Sequence, residues 1–230
     1  MARIILIETS TSLCSAALAE DGKVVAYKES DAPRMHASMT APYIEEVLKS
    51  CGLSVTDCDA VCVSMGPGSY TGLRVGSSTA KGLCFGAGIP LIALGTLDIL
   101  AAQARIDGVV GEDCRYIVPM IDARRMEVYS ATFTPDGRRL SETEPVIVTE
   151  NSFAKELSEG KVLFIGDGAG KCSSVISSEN ASFVQCCPRA DAMAAIGDEE
   201  YKQKRFKDIA YFEPFYLKEF TATVSSKKLF

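Results

Sequence analysis

The apolar positions of the first third of the chain fall in short blocks divided by turn residues. Residues 3–7 (RIILI) make one continuous block closed by Glu8, and Thr9–Ser12 form a Thr/Ser turn. Leu13–Ala19 and Val24–Glu29 follow as two further strands, joined by the hairpin signal Glu20-Asp21-Gly22-Lys23. From His36 to Cys51 the period lengthens to that of a helix, with Ile44, Val47, Leu48 and Cys51 as its core stripe. A strand at 60–63, a glycine-rich helix, a strand at Pro90–Leu94 and a helix at Thr96–Ala104 complete this half.

The same order then recurs. Tyr116–Ile121 is an apolar strand ending at Asp122, Met126–Thr134 is its hairpin partner, and Pro135-Asp136-Gly137-Arg138 supplies the turn. Glu8 precedes Gly22 by 14 residues, and Asp122 precedes Gly137 by 15. A helix near 151–158, with Asn151 or Ser152 as cap, leads to a strand at Lys161–Ile165. A glycine turn (Gly166–Gly170) with its helix, a strand near 182–186 and a helix at about 190–204 close the repeat. One supersecondary plan written twice implies an internal duplication. Right-handed crossovers would then place helices on both faces of a mixed sheet in each half.

Residues 64–88 (SMGPGSYTGLRVGSSTAKGLCFGAG) stand apart from this alternation. Gly72, Gly76 and Ala80 recur every four residues and therefore share one helix face. Glycine inside a helix costs roughly 1 kcal/mol relative to alanine, so Gly76 and Gly82 need an offsetting gain. Close backbone approach supplies one: a ligand, another chain, another helix, or the sheet of its own domain lies against that face.

Composition narrows the function. A chain of 230 residues with 47% apolar content suits two packed cores, and net charge −6 argues against gripping nucleic acid unaided. The late basic positions (Lys202, Lys204, Arg205, Lys207, Lys227 and Lys228) alternate with acids and aromatics, as a solvated face does. No signal-peptide pattern opens the chain and no apolar run reaches the ~18 residues of a bilayer span, so a cytoplasmic protein without membrane attachment is expected. Nine cysteines without a C-x-x-C pair read as free thiols, and a single histidine, His36, excludes the usual His-containing zinc sites. No metal is expected.

The glycine turns fail the standard nucleotide fingerprints. Ile165 and Cys172 stand where a Walker A loop needs glycine and Ser/Thr, and neither G-x-G-x-G at 166–170 nor Gly66–Gly72 has dinucleotide spacing. What survives is a generic strand–turn–helix geometry for an anion, with Gly166 and Gly168 as candidate contacts. Glu8 and Asp122 end corresponding strands; they either hold a magnesium–phosphate group together or each cap a local turn. A nucleophile–histidine pair would have to use His36, which lacks any neighbouring motif and suits a surface or interface position. Met35, Met39 and Tyr43 lie off the core stripe, as interface anchors or as secondary packing.

The duplicated plan resembles the actin-like ATPase (ASKHA), ribonuclease-H-like fold, with an N-terminal domain at 1–106 and a C-terminal one at 107–230. Four segments are more specific: ETSTSLCSAAL at 8–18, SMGPGSYTGLRVGSSTAKGL at 64–83, PLIALGTLDIL at 90–100 and DARRMEVY at 122–129 resemble the TsaB (YeaZ) family. The resemblance implies a bacterial subunit of the machinery that attaches threonylcarbamoyl to adenosine 37 of tRNAs reading ANN codons. It implies pairing with a paralogous catalytic subunit, TsaD, work alongside the ATPase TsaE, and contact with tRNA only through the complex. In TsaD an H-x-x-x-H metal motif follows the glycine-rich helix and its proline strand. Here Thr96 and Leu100 occupy those places, so this chain is expected not to perform the transfer.

By the same resemblance the docking surface uses the first two helices, with His36, Met39, Thr40, Tyr43, Gly72, Gly76, Thr79, Ala80 and Leu83 as candidate contacts. No cofactor is required by this chain, and ATP or ADP at the heterodimer interface is compatible with the resemblance. Two other readings stay open: a stand-alone actin-fold ATPase or sugar-kinase-like enzyme using Glu8, Asp122 and the Gly166 turn, and a homodimer through the same face when the partner is absent.

Overall fold

The computed structural model describes residues 1–31 and 36–217, so Met35, Lys227 and Lys228 lie outside the described residues. The first half contains β1 (Arg3–Glu8), β2 (Cys14–Glu20), β3 (Lys23–Ser30), α1 (His36–Ser50), β4 (Ala60–Gly66), α2 (Tyr70–Ala87), β5 (Leu91–Gly95) and α3 (Thr96–Ile106). The second contains β6 (Cys114–Asp122), β7 (Glu127–Ser130), β8 (Glu144–Ile147), α4 (Ala154–Glu159), β9 (Lys161–Gly166), α5 (Ala169–Cys172), β10 (Ala181–Gln185) and α6 (Ala194–Lys202).

Each half builds a five-stranded mixed sheet. The orders are β3-β2-β1-β4-β5 and, read from the same edge, β8-β7-β6-β9-β10. β1 pairs antiparallel with β2 (Ile5↔Leu18) and parallel with β4 (Ile5↔Val61); β6 does the same with β7 (Ile121↔Tyr129) and β9 (Ile117↔Leu163). The expected duplication of the actin-like fold is therefore present strand for strand. β1 reads as unbroken apolar sequence because it is central and covered on both faces, so Ile5 and Ile7 enter one core while Ile4 and Leu6 enter the other.

Several local expectations need correction. β8 carried no sequence signal, because Glu144–Ile147 sits at a sheet edge with mostly exposed side chains. The β7–β8 connection keeps the expected turn, with Phe133 bridging both Ile117 and Arg139. Neither Asn151 nor Ser152 caps α4: the helix starts after Phe153 in the left-handed region (φ 61°), and Ser152 Oγ accepts from Thr149 N instead. The last helix begins as a 3-10 turn at Ala190–Met193 and ends at Lys202.

The sheets part between Gly95 and Cys114, and the helices do not follow that division. α1 and α2 cover one face of the first sheet, and the other face is covered by Ala190–Ala194 from the end of the chain. α3 lies between the sheets, turning Ile99 to the first and Leu97, Leu100, Ala101 and Ala104 to the second, beside Phe133 and Ile165. Apolar residues on two faces are what such a position demands, while Asp98 on its remaining edge pairs with Arg139. Gln103, fully buried on α3, donates to Cys187 O (3.0 Å) and accepts from Arg189 N (3.0 Å), tying the returning chain to the helix. Arg189 then bridges Asp107 and Asp191. Among the described residues no helix is long and apolar enough to cross a membrane, and all nine cysteines are free thiols.

Because each half supplies a covering helix to the other's core, the chain is expected to unfold in one transition. Gln103→Leu leaves the half-buried Cys187 carbonyl and Arg189 N–H without their partner, and should lower the stability read by urea unfolding by about 2 kcal/mol. Two resolved transitions in the wild type would contradict the shared core.

Candidate functional site

Helix α2 is placed by its own N-terminus. Ser69 accepts from Gly72 N with its hydroxyl (3.2 Å), while its backbone N–H donates to Ser10 O (2.6 Å) in the β1–β2 turn. The helix then runs so close to that turn that a Cβ added at Gly68, Gly72 or Gly76 would overlap Ser10 O, Thr9 O or Thr9 Oγ1 respectively. Thr9 Oγ1 donates to Gly72 O (2.8 Å), across the gap that the missing side chains leave. The close approach inferred for the glycine face is therefore intramolecular. Gly72, Gly76 and Ala80 are buried against their own domain, so the contacts expected of them have no exposed surface there.

Two of the candidate contacts on α1 are likewise covered. Tyr43 is 6% exposed within the first core, and Thr40 is buried, its hydroxyl donating to His36 O (2.6 Å) and lying 3.4 Å from Cys14 Sγ. His36 is half-buried with Nε2 3.3 Å from Leu13 O, so it fastens the helix start to the β1–β2 turn. Met39, Thr79 and Leu83 are half-buried, Met39 and Leu83 against the core of the first domain.

The outer surface of the two helices is made of other residues. On α2 these are Thr71, Arg74, Ser78, Gly82, Phe85 and Gly86, and on α1 Ala37, Ala41, Pro42 and Glu45. Phe85 is 85% exposed, and a Cβ added at Gly82 or Gly86 would meet nothing within 4 Å. The helical cost of Gly82 thus has no compensation inside the chain. Gly82, Phe85 and Gly86 were legible in the sequence as a second glycine pair one turn apart beside an aromatic, on the side of the helix away from Gly72, Gly76 and Ala80.

The β1–β2 turn itself is closed. Glu8 is fully buried and accepts from Ser10 N (2.5 Å), while Glu8 Oε2, Ser10 Oγ and Thr11 Oγ1 are buried without a hydrogen-bond partner. Burial pushes the Glu8 carboxyl up to about 7, against the opposing pull of the hydrogen bond from Ser10 N. On the second half, Asp122 is half-exposed, accepts from Arg124 N (2.6 Å) and pairs with Lys171 (2.6 Å). Gly168 N is spent on Met120 O (3.0 Å), and Gly166 sits at φ +133°, where an added Cβ would overlap Met120 O. Both carboxylates thus cap the N–H two residues on, the local-turn alternative of the sequence reading. A magnesium–phosphate group between Glu8 and Asp122 does not fit these groups: one is sealed beneath α2 and the other is neutralised.

The positions matching the TsaD metal motif are equally closed. Thr96 and Leu100 are both fully buried, Leu100 in the core of the second domain. Among the described residues, no group of three or more His, Cys, Asp or Glu side chains is placed to hold a metal.

Comparison with known proteins reports on the same geometry. The chain is 33% identical over 239 residues to the tRNA threonylcarbamoyladenosine biosynthesis protein TsaB of Escherichia coli, covering 99% of this chain and 98% of that one. It belongs to the TsaB family. TsaB of Haemophilus influenzae is 32% identical, with 98% and 96% covered. The family model described as "TsaD: tRNA N6-adenosine threonylcarbamoyltransferase" matches residues 28–211. The solved structure of YeaZ from Pseudomonas aeruginosa superposes with TM-score 0.83 at 24% identity, over 94% of this chain and all of that one, which shows a shared fold.

Glu8 gives this TsaB-family chain a pH signature. Its carboxyl keeps a proton to about pH 7 when folded and loses it near 4.5 when unfolded, so the native state binds more protons between those values. Stability contributed below pH 4.5 is therefore lost as pH rises through 7, by about 3 kcal/mol in total. Glu8→Gln should flatten that stretch of a stability–pH curve. Asp167, raised by burial to about 6, should leave a residual slope at lower pH. An unchanged curve in Glu8→Gln would contradict the buried neutral carboxyl.

Proposed function

We propose that the chain is a non-catalytic partner subunit in tRNA threonylcarbamoyladenosine biosynthesis, pairing with and activating a TsaD-type catalytic subunit. A TsaE-type ATPase completes the complex, and tRNA is reached only through it, in the cytoplasm. Family membership supplies the pathway. The observation that supports the partner role is the outer face of α2, where Gly82 and Gly86 interrupt a helix with no packing gain inside the chain.

A face of Ser78, Gly82 and Gly86 beside exposed Phe85 lets another helix approach closely and offers it one aromatic anchor. Exposed Ala37, Ala41 and Pro42 on α1 extend the same low-relief surface. Absence of catalysis is supported by the burial of Thr96 and Leu100, which no substrate-bound metal could reach. The chain requires no cofactor of its own on this reading, since Glu8 and Asp122 are already engaged. ATP or ADP at the heterodimer interface would be held by other groups. The stand-alone ATPase alternative would need Glu8, Asp122 and the Gly166 turn, which are already engaged. Self-association through the α1–α2 face is expected when the partner is absent.

Two variants separate docking from folding. Gly82→Phe meets open space and raises helix propensity, so the isolated chain should keep its stability or gain up to about 1 kcal/mol while co-elution with the TsaD-type subunit is lost. Gly76→Phe should instead unfold the chain, because the side chain would meet Thr9. Retained co-elution of Gly82→Phe would place the docking face elsewhere. Threonylcarbamoyl transfer to an ANN-reading tRNA, reconstituted with the partners and ATP, should stop when this chain is omitted and return when it is restored. Transfer by this chain without the TsaD-type subunit would overturn the non-catalytic assignment.

A further inference from the structure

The turn between β6 and β7 carries a feature that the partner role does not use. Arg124 and Arg125 are consecutive and both left-handed, at φ 69° and 49°. L side chains seldom adopt that region, and a pair in succession persists only where the surroundings over-determine it. Here they do. Asp122 Oδ1 accepts from Arg124 N (2.6 Å), Ala123 N donates to Glu127 O (3.0 Å) and Glu127 N to Arg124 O (3.2 Å). From α5, Lys171 Nζ donates to Asp122 Oδ1 (2.6 Å), Arg125 O (2.8 Å) and Glu127 O (2.6 Å), gripping the turn from beneath.

Lys171 also cancels the Asp122 charge and is itself only 21% exposed, so the cationic charge facing solvent belongs to the two arginines. Asp167 is taken up by Asp122 N (2.8 Å), and Glu127 is half-buried. Arg3, Arg139, Arg189 and Arg205 each hold a carboxylate. Among the described residues, neither the Arg124 nor the Arg125 guanidinium has an ion-pair or hydrogen-bond partner. The turn stands at the carboxyl end of β6, which runs parallel to β9, the end where α/β sheets present their ligand-binding loops.

We propose that Arg124 and Arg125 form a phosphodiester-binding site through which this subunit contacts the RNA substrate of the complex. Two unpartnered guanidinium groups on a rigid turn match phosphate oxygens, which they recognise by paired N–H donors, and they contribute affinity without reading sequence. The overall charge of −6 limits the contact to such a local patch, so it acts only when the complex brings the RNA to it. This inference rests on the partner-subunit reading.

The test uses the assembled complex and an unmodified ANN-reading tRNA transcript, with binding measured across salt concentrations. Arg124→Gly/Arg125→Gly suits the left-handed turn better than the native residues, so the fold and co-elution with the partners should be retained. Affinity near ~0.1 M salt should fall roughly tenfold or more, and the slope of log K against log salt should flatten by about 1 to 2, one phosphate contact per arginine. Arg124→Lys/Arg125→Lys, which keeps the charge, should keep most of the slope. Unchanged affinity and slope in the glycine variant would overturn the site, and loss of co-elution would reassign the arginines to a protein partner. A wild-type complex inactive in transfer counts against the partner-subunit reading. An active one whose RNA binding ignores the arginines counts against this inference alone.

Discussion

The contact between α2 and the β1–β2 turn is the constraint on which the rest of the structure depends. The helix axis can lie over Thr9 and Ser10 only because positions 68, 72 and 76 carry no Cβ, and Thr9 closes the remaining gap with a hydrogen bond to Gly72 O. That approach seals Glu8 from water, and a carboxylate sealed in this way is more readily neutral than charged. In an actin-like fold the same turn would line the cleft between the halves. Here it is interior, so the glycine helix that might have cradled an anion shuts the place where one would bind.

Turning three glycines inward also decides what faces outward. With one side of α2 fastened to its own domain, Gly82, Phe85 and Gly86 are left on the opposite side, where nothing in the chain covers them. The glycines at 76 and 82 therefore carry the same helical cost for unrelated reasons. One is offset within the fold, and the other finds no offsetting contact within the chain. Rigidity reinforces this division of labour. α3 is wedged between the sheets, Gln103 holds the returning chain, and Arg189 bridges Asp107 and Asp191, so each half supplies part of the other's packing.

The two copies of the plan have diverged in their helices more than in their sheets. α2 runs for 18 residues, and its counterpart α5 for only four. A short α5 cannot bury the β6–β7 turn as α2 buries β1–β2, so Asp122 and the arginines after it stay at the surface while Glu8 does not. α5 contributes one lysine, and that lysine satisfies backbone carbonyls and a carboxylate that would otherwise compete for the exposed guanidinium groups.

Much of this was legible before any coordinates. Apolar blocks and turn residues determined the strand order, the helix periods and the duplication, because burial on both faces of a central strand imposes a continuous run such as RIILI. The edge strand β8 escaped because exposed residues carry no such imprint. Spacing alone excluded the nucleotide fingerprints, and Thr96 and Leu100 stand where the family resemblance places the TsaD metal motif. Periodicity also put Gly72, Gly76 and Ala80 on a single helix face, since 3.6 residues per turn is a local property. Which way that face points was decided only by tertiary packing. A glycine stripe signals that something comes close, and whether the neighbour is Thr9 of the same chain or the helix of another depends on contacts between residues distant in sequence.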